Sequence, residues 1–214
     1  YSIWQKLGLF RHGKMDSSEY ALNVFDSHIK RAGLEGNLDC KIILELGPGD
    51  SISTSMIAFA HNANSILVDA GDFMKRNVAT YRELANILAL KNLPTPKITS
   101  EMNFKDVLKI TNSQYFTEGL KSLRSIPTNS VDFIFSQAVL EHLRKYEFFD
   151  IMKELRRILK PTGISSHQVD LRDHLGGALN NLTFSERVWE SDFFVKSGFY
   201  TNRIRFLEMI TLFQ

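Results

Sequence analysis

One cysteine, Cys40, stands among 214 residues. No internal disulfide can form, and a lone thiol fits a reducing, cytoplasmic setting. No apolar run reaches about 18 residues, so no membrane span is expected. No signal-peptide pattern opens the chain, which reads from Tyr1. No long lysine or arginine block occurs. With 26 basic and 24 acidic residues the formal charge is +2, so charge gives no indication of nucleic acid as a partner. Repeats and low-complexity segments are absent as well. What is present is 43% hydrophobic and 23% charged residues, the composition of a globular protein. The length suits one domain with a core of its own.

Hydrophobic periodicity divides the chain. Tyr20, Ala21, Val24, Phe25, His28, Ile29 and Ala32 fall at helical spacing. Asp16 and Glu19 have the spacing of a capping box, and Gly33 is a suitable stop. Residues 41–46 read as a buried strand, 51–60 as a helix and 65–70 as a second strand. A long amphipathic helix is expected over 73–92, stopped by Pro94 and Pro96. A short third strand is expected at 97–99 and a fourth at 131–136. The next helix carries Phe148, Ile151, Met152, Leu155, Ile158 and Leu159 on one face and ends before Pro161 and Gly163. The fifth strand is expected at 164–171, and a terminal helix in the last eleven residues. Strands alternating with helices predict an α/β fold: a Rossmann-like, doubly wound, mostly parallel sheet with helices on both faces. Ligands then sit at the carboxyl ends of the strands, where the strand order reverses.

The segment "IILELGPGDS" (42–51) carries the chemistry. A strand that runs through Gly-x-Gly into a helix aims backbone N–H groups at a ligand. Asp69, about 20 residues on at the end of the next strand, can accept hydrogen bonds from ribose hydroxyls. NAD requires G-x-G-x-x-G, whose third glycine allows close packing near the pyrophosphate. Here that place is Ile52, and Asp50 would repel a pyrophosphate. A cofactor with a ribose and an ammonium group but no phosphate fits better, with Glu45 and Asp50 beside its cationic end. The bland alternative is an ordinary strand–turn–helix that holds nothing.

These residues resemble the class I S-adenosylmethionine-dependent methyltransferases. "ILELGPGDS" is similar to that family's first motif, E/D-x-G-x-G. "ILVDAGD" is similar to its ribose-binding acid, "NSVDFIFSQAVLEHL" to its fourth-strand segment, and "LRRILKPTGI" to the helix and strand that follow. The motifs run in the family's order over roughly Lys41 to Val169, with Thr162 where glycine is usual. The resemblance implies S-adenosyl-L-methionine as cofactor. Glu45, Gly47 and Gly49 would border its methionine part within the turn that Pro48, Asp50 and Ser51 complete. Asp69 would hold the ribose, with Ala70 and Gly71 beside the adenine. Gly119 and Leu120 occupy the place of the family's adenine-contacting acid, so that contact would come from backbone or from Glu118. Ser136 and Gln137 would line the methyl end. It also implies a division of the single domain 1–214 into an N-terminal helical segment (1–40), a cofactor-binding core (41–170) and an acceptor-side cap (171–214).

The acceptor is narrowed by what is missing. "SQAV" follows the fourth strand where amino-methylating nucleic-acid enzymes of this fold carry Asn/Asp-Pro-Pro-aromatic. Cys40 lies at the wrong end of the first strand for C5 methylation of pyrimidines. A small-molecule or glycan-like acceptor, methylated at oxygen, is therefore expected, without nucleic acid or membrane. A hydroxyl nucleophile gains from a general base. His142, His167 and Asp170 are the candidates, with Asp173 and His174 close by. The spacing His167-x-x-Asp170-x-x-x-His174 also suits a divalent metal, but residues three apart in a strand face opposite sides, so no metal is expected. His12, His28 and His61 read as surface or helix residues. Phe184, Trp189, Phe193, Phe194, Phe199 and Tyr200 either cover the acceptor or form the core of a subdomain. Trp4, Phe10 and Tyr20 belong either to the pocket wall or to a homodimer contact. A catalytically silent cofactor binder of the same fold, and a methyltransferase acting on a macromolecule, stay open as alternatives.

Overall fold

Residues 17–75 and 77–213 are described here from a computed structural model. Trp4, Phe10, His12 and Asp16 lie outside the described residues. Two compact units divide the described chain: 17–137 with 154–167, and 138–153 with 168–213.

The larger unit is built on a five-stranded sheet of order β3-β2-β1-β4-β5. Its elements are α1 (Ser18–Ala32), β1 (Ile42–Leu46), α2 (Ser53–Ala60), β2 (Asn64–Val68), α3 (Ala79–Leu90), α4 (Phe104–Ile110), β3 (Gln114–Phe116), α5 (Leu120–Ser125) and β4 (Val131–Gln137). Helix α6 (Lys145–Ile158) and strand β5 (Leu159–Gln168) follow. β1 pairs in parallel with β2 and β4, and β2 with β3. β5 runs alongside β4 in the same direction, since Asn129 and Ser130 donate in turn to the carbonyls of Arg157 and Ile158. Parallel strands covered on both faces are apolar along their length. Accordingly Ile43, Leu44, Leu67, Phe133, Ile134 and Phe135 are fully buried. The apolar stripe of α1 supplies Ala21, Phe25 and Ile29 to one core with Ile43, Leu67, Phe133 and Phe135, together with Met56, Ile57, Tyr81, Leu84 and Val107.

Local signals explain several boundaries. Gly33 ends α1 in the left-handed region, φ 64°, where its N–H meets the Lys30 carbonyl. The N-cap of α1 is Ser17, which makes no side-chain cap bond, so the expected capping box is not the start signal. Helix α4 does carry one, with Asn103 and Asp106 bonding each other's backbone N–H. The third strand is Gln114–Phe116, and residues 97–99 are irregular.

The smaller unit contains single turns at Leu140–His142 and Asn180–Thr183, the short helices α7 (Glu186–Trp189) and α8 (Asp192–Val195), and α9 (Phe206–Phe213). Trp189 is its anchor. The fully buried indole packs 4.8 Å from Phe194 and 5.6 Å from Phe184, and its N–H donates to the Thr201 carbonyl at 2.7 Å. The aromatic cluster is thus the core of this unit, except for Phe193, which stays exposed. Asn202, also buried, donates to the carbonyls of Leu140 and Leu143 and accepts from the Ile204 N–H. Among the described residues no helix is long and apolar enough to cross a membrane.

Candidate functional site

Strand order reverses between β1 and β4, and the glycine turn leaves the carboxyl end of β1 at that point. Gly47 extends the ladder by donating to the Val68 carbonyl at 2.8 Å. Gly49 sits at φ 66°, a conformation L side chains resist. Its N–H donates to Asp69 Oδ2 at 2.9 Å, while Ala70 N–H donates to Asp69 Oδ1 at 2.7 Å. One carboxylate therefore ties the turn after β1 to the turn after β2. The Asp69 carbonyl accepts from Gly119 N–H at 2.8 Å, which brings the loop after β3 against Ala70. Tyr115 donates its hydroxyl proton to the Gly71 carbonyl from the same side. Gly119 thus lies against Ala70 in the fold.

The amides that would otherwise receive a phosphate are already occupied. Ile52 N–H donates to the Tyr81 hydroxyl and Ser53 N–H to Ser51 Oγ. Asp50, buried beside them, is paired with Lys75 at 2.8 Å. A helix N-terminus satisfied by side chains and flanked by a carboxylate is a poor place for a pyrophosphate.

Burial sets the protonation of this site. It pushes Asp69 up to about 6, and Glu45 up to about 8 against the opposing hydrogen bond from Thr54. Glu45 Oε2 is buried with no hydrogen-bond partner. A buried orphan carboxyl and an acid held ready at the next strand's end fit a cofactor that brings a cation and a ribose.

At its carboxyl end β4 places Ser136 and Gln137 on opposite faces. Ser136 Oγ lies 2.8 Å from His167 Nδ1. Burial and the nearby His28 push His167 down to about 4, so it is neutral at physiological pH. Gln137 Oε1 lies 3.2 Å from His28 Nε2, and His28 Nδ1 lies 2.8 Å from Ser166 Oγ. Because Oε1 can only accept, Nε2 carries the proton and Nδ1 accepts from Ser166. His28 is fully buried and its pKa is lowered by that burial. Of the two readings, surface or helix residue, the second holds: His28 lies on the apolar stripe of α1, where two partners far along the chain meet both ring nitrogens.

The remaining candidates belong to the smaller unit. His142 Nδ1 donates to the Tyr200 carbonyl at 2.8 Å, and its ring lies 5.0 Å from that of His174. Asp170 lies beyond β5, so strand alternation does not apply to it and His167. Arg172 grips its carboxylate with two nitrogens and holds it far below the usual range. A carboxylate in that state is a weak proton acceptor. Among the described residues no group of three or more His, Cys, Asp or Glu is placed to hold a metal. Sequence reasoning passed over Glu141. It is 1% exposed, its Oε1 accepts the Asp170 N–H at 3.0 Å, and its Oε2 has no partner. Burial pushes it up to about 7. The one sequence signal was an acid placed just after a strand's carboxyl end.

Fold and site together define a class: Rossmann-like α/β proteins with a glycine turn after β1 and a buried acid at the end of β2. The profile of the methyltransferase domain family matches residues 44–166. That is more than half of the chain, which therefore belongs to this family, whose cofactor is S-adenosyl-L-methionine. Phosphoethanolamine N-methyltransferase 2 of Haemonchus contortus, solved with phosphomonomethylethanolamine and S-adenosylhomocysteine, is similar in fold. It is 17% identical over 89% of this chain and 36% of its own, with a TM-score of 0.52. The PH0226 protein of Pyrococcus horikoshii OT3 is 15% identical over 73% of this chain and 57% of its own, with a TM-score of 0.45. A putative sarcosine dimethylglycine methyltransferase of Galdieria sulphuraria is 16% identical over 70% and 46%, with the same TM-score. The chain thus spans about half the length of these two structures. No curated protein sequence matches it.

Proposed function

We propose that this chain transfers the methyl group of S-adenosyl-L-methionine to an oxygen of a small-molecule acceptor. The observation that carries the reading is the glycine turn: its amides are held by Asp69, Tyr81 and Ser51, beside two buried carboxyl groups. Asp69 would take the ribose hydroxyls on the lone pairs its two amide bonds leave free. Glu45, Gly47, Pro48, Gly49, Asp50 and Ser51 would border the methionine part, and Ala70, Gly71, Gly119 and Leu120 the adenine. The end of β4, with Ser136 and Gln137, would line the methyl end, Gln137 being fixed by His28. Bound there, the cofactor supplies a methyl already activated on a sulfonium for in-line displacement.

An activated methyl leaves the protein the tasks of aligning the acceptor and removing its proton. Glu141 and His142, four and five residues past the end of β4, are suited to the second. Glu141 is held near neutrality with one oxygen unpartnered. His142 gives its Nδ1 proton to a carbonyl, which leaves Nε2 as the basic nitrogen. The test is incubation with methyl-tritiated cofactor and a panel of hydroxylated and amino small molecules. Label recovered in a methyl ether, with S-adenosylhomocysteine formed in equal amount, supports the reading. Label confined to amines, to protein or to RNA contradicts it.

A further inference from the structure

The segment after β2 returns to the glycine turn and is fastened there through Lys75. Its N–H donates to the Asp50 carbonyl at 3.0 Å, and its ammonium lies 2.8 Å from Asp50 Oδ2. One residue is thus tied to the same turn residue by its backbone and by the tip of its side chain. Beside it Met74 accepts from the Tyr81 hydroxyl, which itself accepts the Ile52 N–H. A lysine on an open surface gives up rotamer freedom to hold its tip in one place, and such a pair is worth little. Lys75 differs because its partner is buried: the Asp50 side chain is 6% exposed, while that of Lys75 is 58% exposed. A cation reachable from solvent is therefore anchored at the turn. An ammonium has three donors, so the bond to Asp50 does not exhaust it.

The amino-acid end of S-adenosyl-L-methionine is a zwitterion, whose ammonium needs an acceptor and whose carboxylate needs N–H donors or a cation. Carboxyl groups are plentiful around the turn: Glu45, Asp50 and Asp69 are all buried there. Several donors are already spent. Gly49 N–H goes to Asp69, Ile52 N–H to Tyr81 and Ser53 N–H to Ser51. Lys75 brings a full positive charge to the same place. We infer that Lys75 binds the α-carboxylate of the cofactor, with Asp50 as the residue that positions its ammonium. The inference rests on the reading of the glycine turn as the cofactor site and gives that site a specificity. A ligand that keeps the carboxylate is selected over an otherwise identical one that lacks it.

The test is calorimetric titration with S-adenosylhomocysteine and with its decarboxylated analogue, in which hydrogen replaces the carboxylate and nothing else changes. The wild type is expected to bind S-adenosylhomocysteine about tenfold more tightly, the effect of one charge-assisted contact at a partly exposed site. Lys75→Met is expected to abolish this preference by weakening S-adenosylhomocysteine alone. Lys75→Arg keeps the charge and is expected to retain most of the preference. A purely structural role, in which Lys75 only neutralises Asp50, would weaken both ligands alike. That equal loss, a preference that survives in Lys75→Met, or equal affinity of the wild type for the two ligands would overturn the inference and leave the cofactor reading in place. Failure of the wild type to bind either ligand would overturn both. The wild-type comparison needs no variant, and none of these readouts uses turnover.

Discussion

Replacing Asp69 by asparagine changes the site in a way the geometry makes quantitative. The wild-type carboxylate accepts Gly49 and Ala70 N–H at 2.9 and 2.7 Å. Asparagine keeps one acceptor and turns an NH2 group toward the other amide. The ribose then loses the charge and one charge-assisted hydrogen bond, about 1.5–3 kcal/mol, or roughly 10- to 100-fold in affinity. Titration adds a second signature. Burial lifts Asp69 from 3.8 to about 6 in the free protein, about 3 kcal/mol in favour of the protonated form. The folded state therefore holds this proton more tightly than the unfolded chain. That contribution to stability is present below the unfolded value and is lost as pH rises through 6. The cofactor's ribose requires the ionised form, so its dissociation constant should rise about tenfold per unit as pH falls below 6. Calorimetry with S-adenosylhomocysteine from pH 5 to 8 measures both effects. Glu45→Gln, run alongside, removes the other buried carboxyl, whose step lies at about 8, and should leave the step at 6 in place. A dissociation constant independent of pH between 5 and 7, or an asparagine variant that binds like wild type, would refute the assignment of Asp69 to the ribose.

Gly49→Ala meets no atom within 4 Å of the added Cβ but places alanine at φ 66°. The expected cost is roughly 1–2 kcal/mol of strain, read as a lowered melting temperature and weaker S-adenosylhomocysteine binding; an unchanged melting curve would contradict it. Trp189→Ala removes the anchor of the smaller unit and should cost about 3–5 kcal/mol. Thermal unfolding followed by near-ultraviolet circular dichroism should show it, and a loss under about 1 kcal/mol would mean the aromatic cluster is not a packed core.

The elements around the cofactor turn were legible because each is set by local chemistry. β1, β4 and the final helix show apolar runs or stripes long enough to reveal their period, and Gly33 and Gly49 require backbone conformations that favour glycine. β3 was misplaced because three residues cannot display a period of two, and its own residues are exposed or half-buried. The helix expected from residue 73 begins at Ala79. The segment before it is drawn over the glycine turn instead: Lys75 N–H donates to the Asp50 carbonyl, and Met74 accepts from the Tyr81 hydroxyl. No periodicity records such contacts. His28 and Glu141 were missed for a related reason. Each looks ordinary in its own segment, and its importance comes from residues 29 to 138 positions away.

The most direct measurement is calorimetric titration of the wild-type protein with S-adenosylmethionine, S-adenosylhomocysteine and NAD. Micromolar binding of both adenosyl ligands with none of NAD is the expected result, since the amides a pyrophosphate would use are occupied by Tyr81 and Ser51. Binding of NAD in preference to either adenosyl ligand, or no binding of the adenosyl ligands, would contradict the reading of the glycine turn on which the assignment rests.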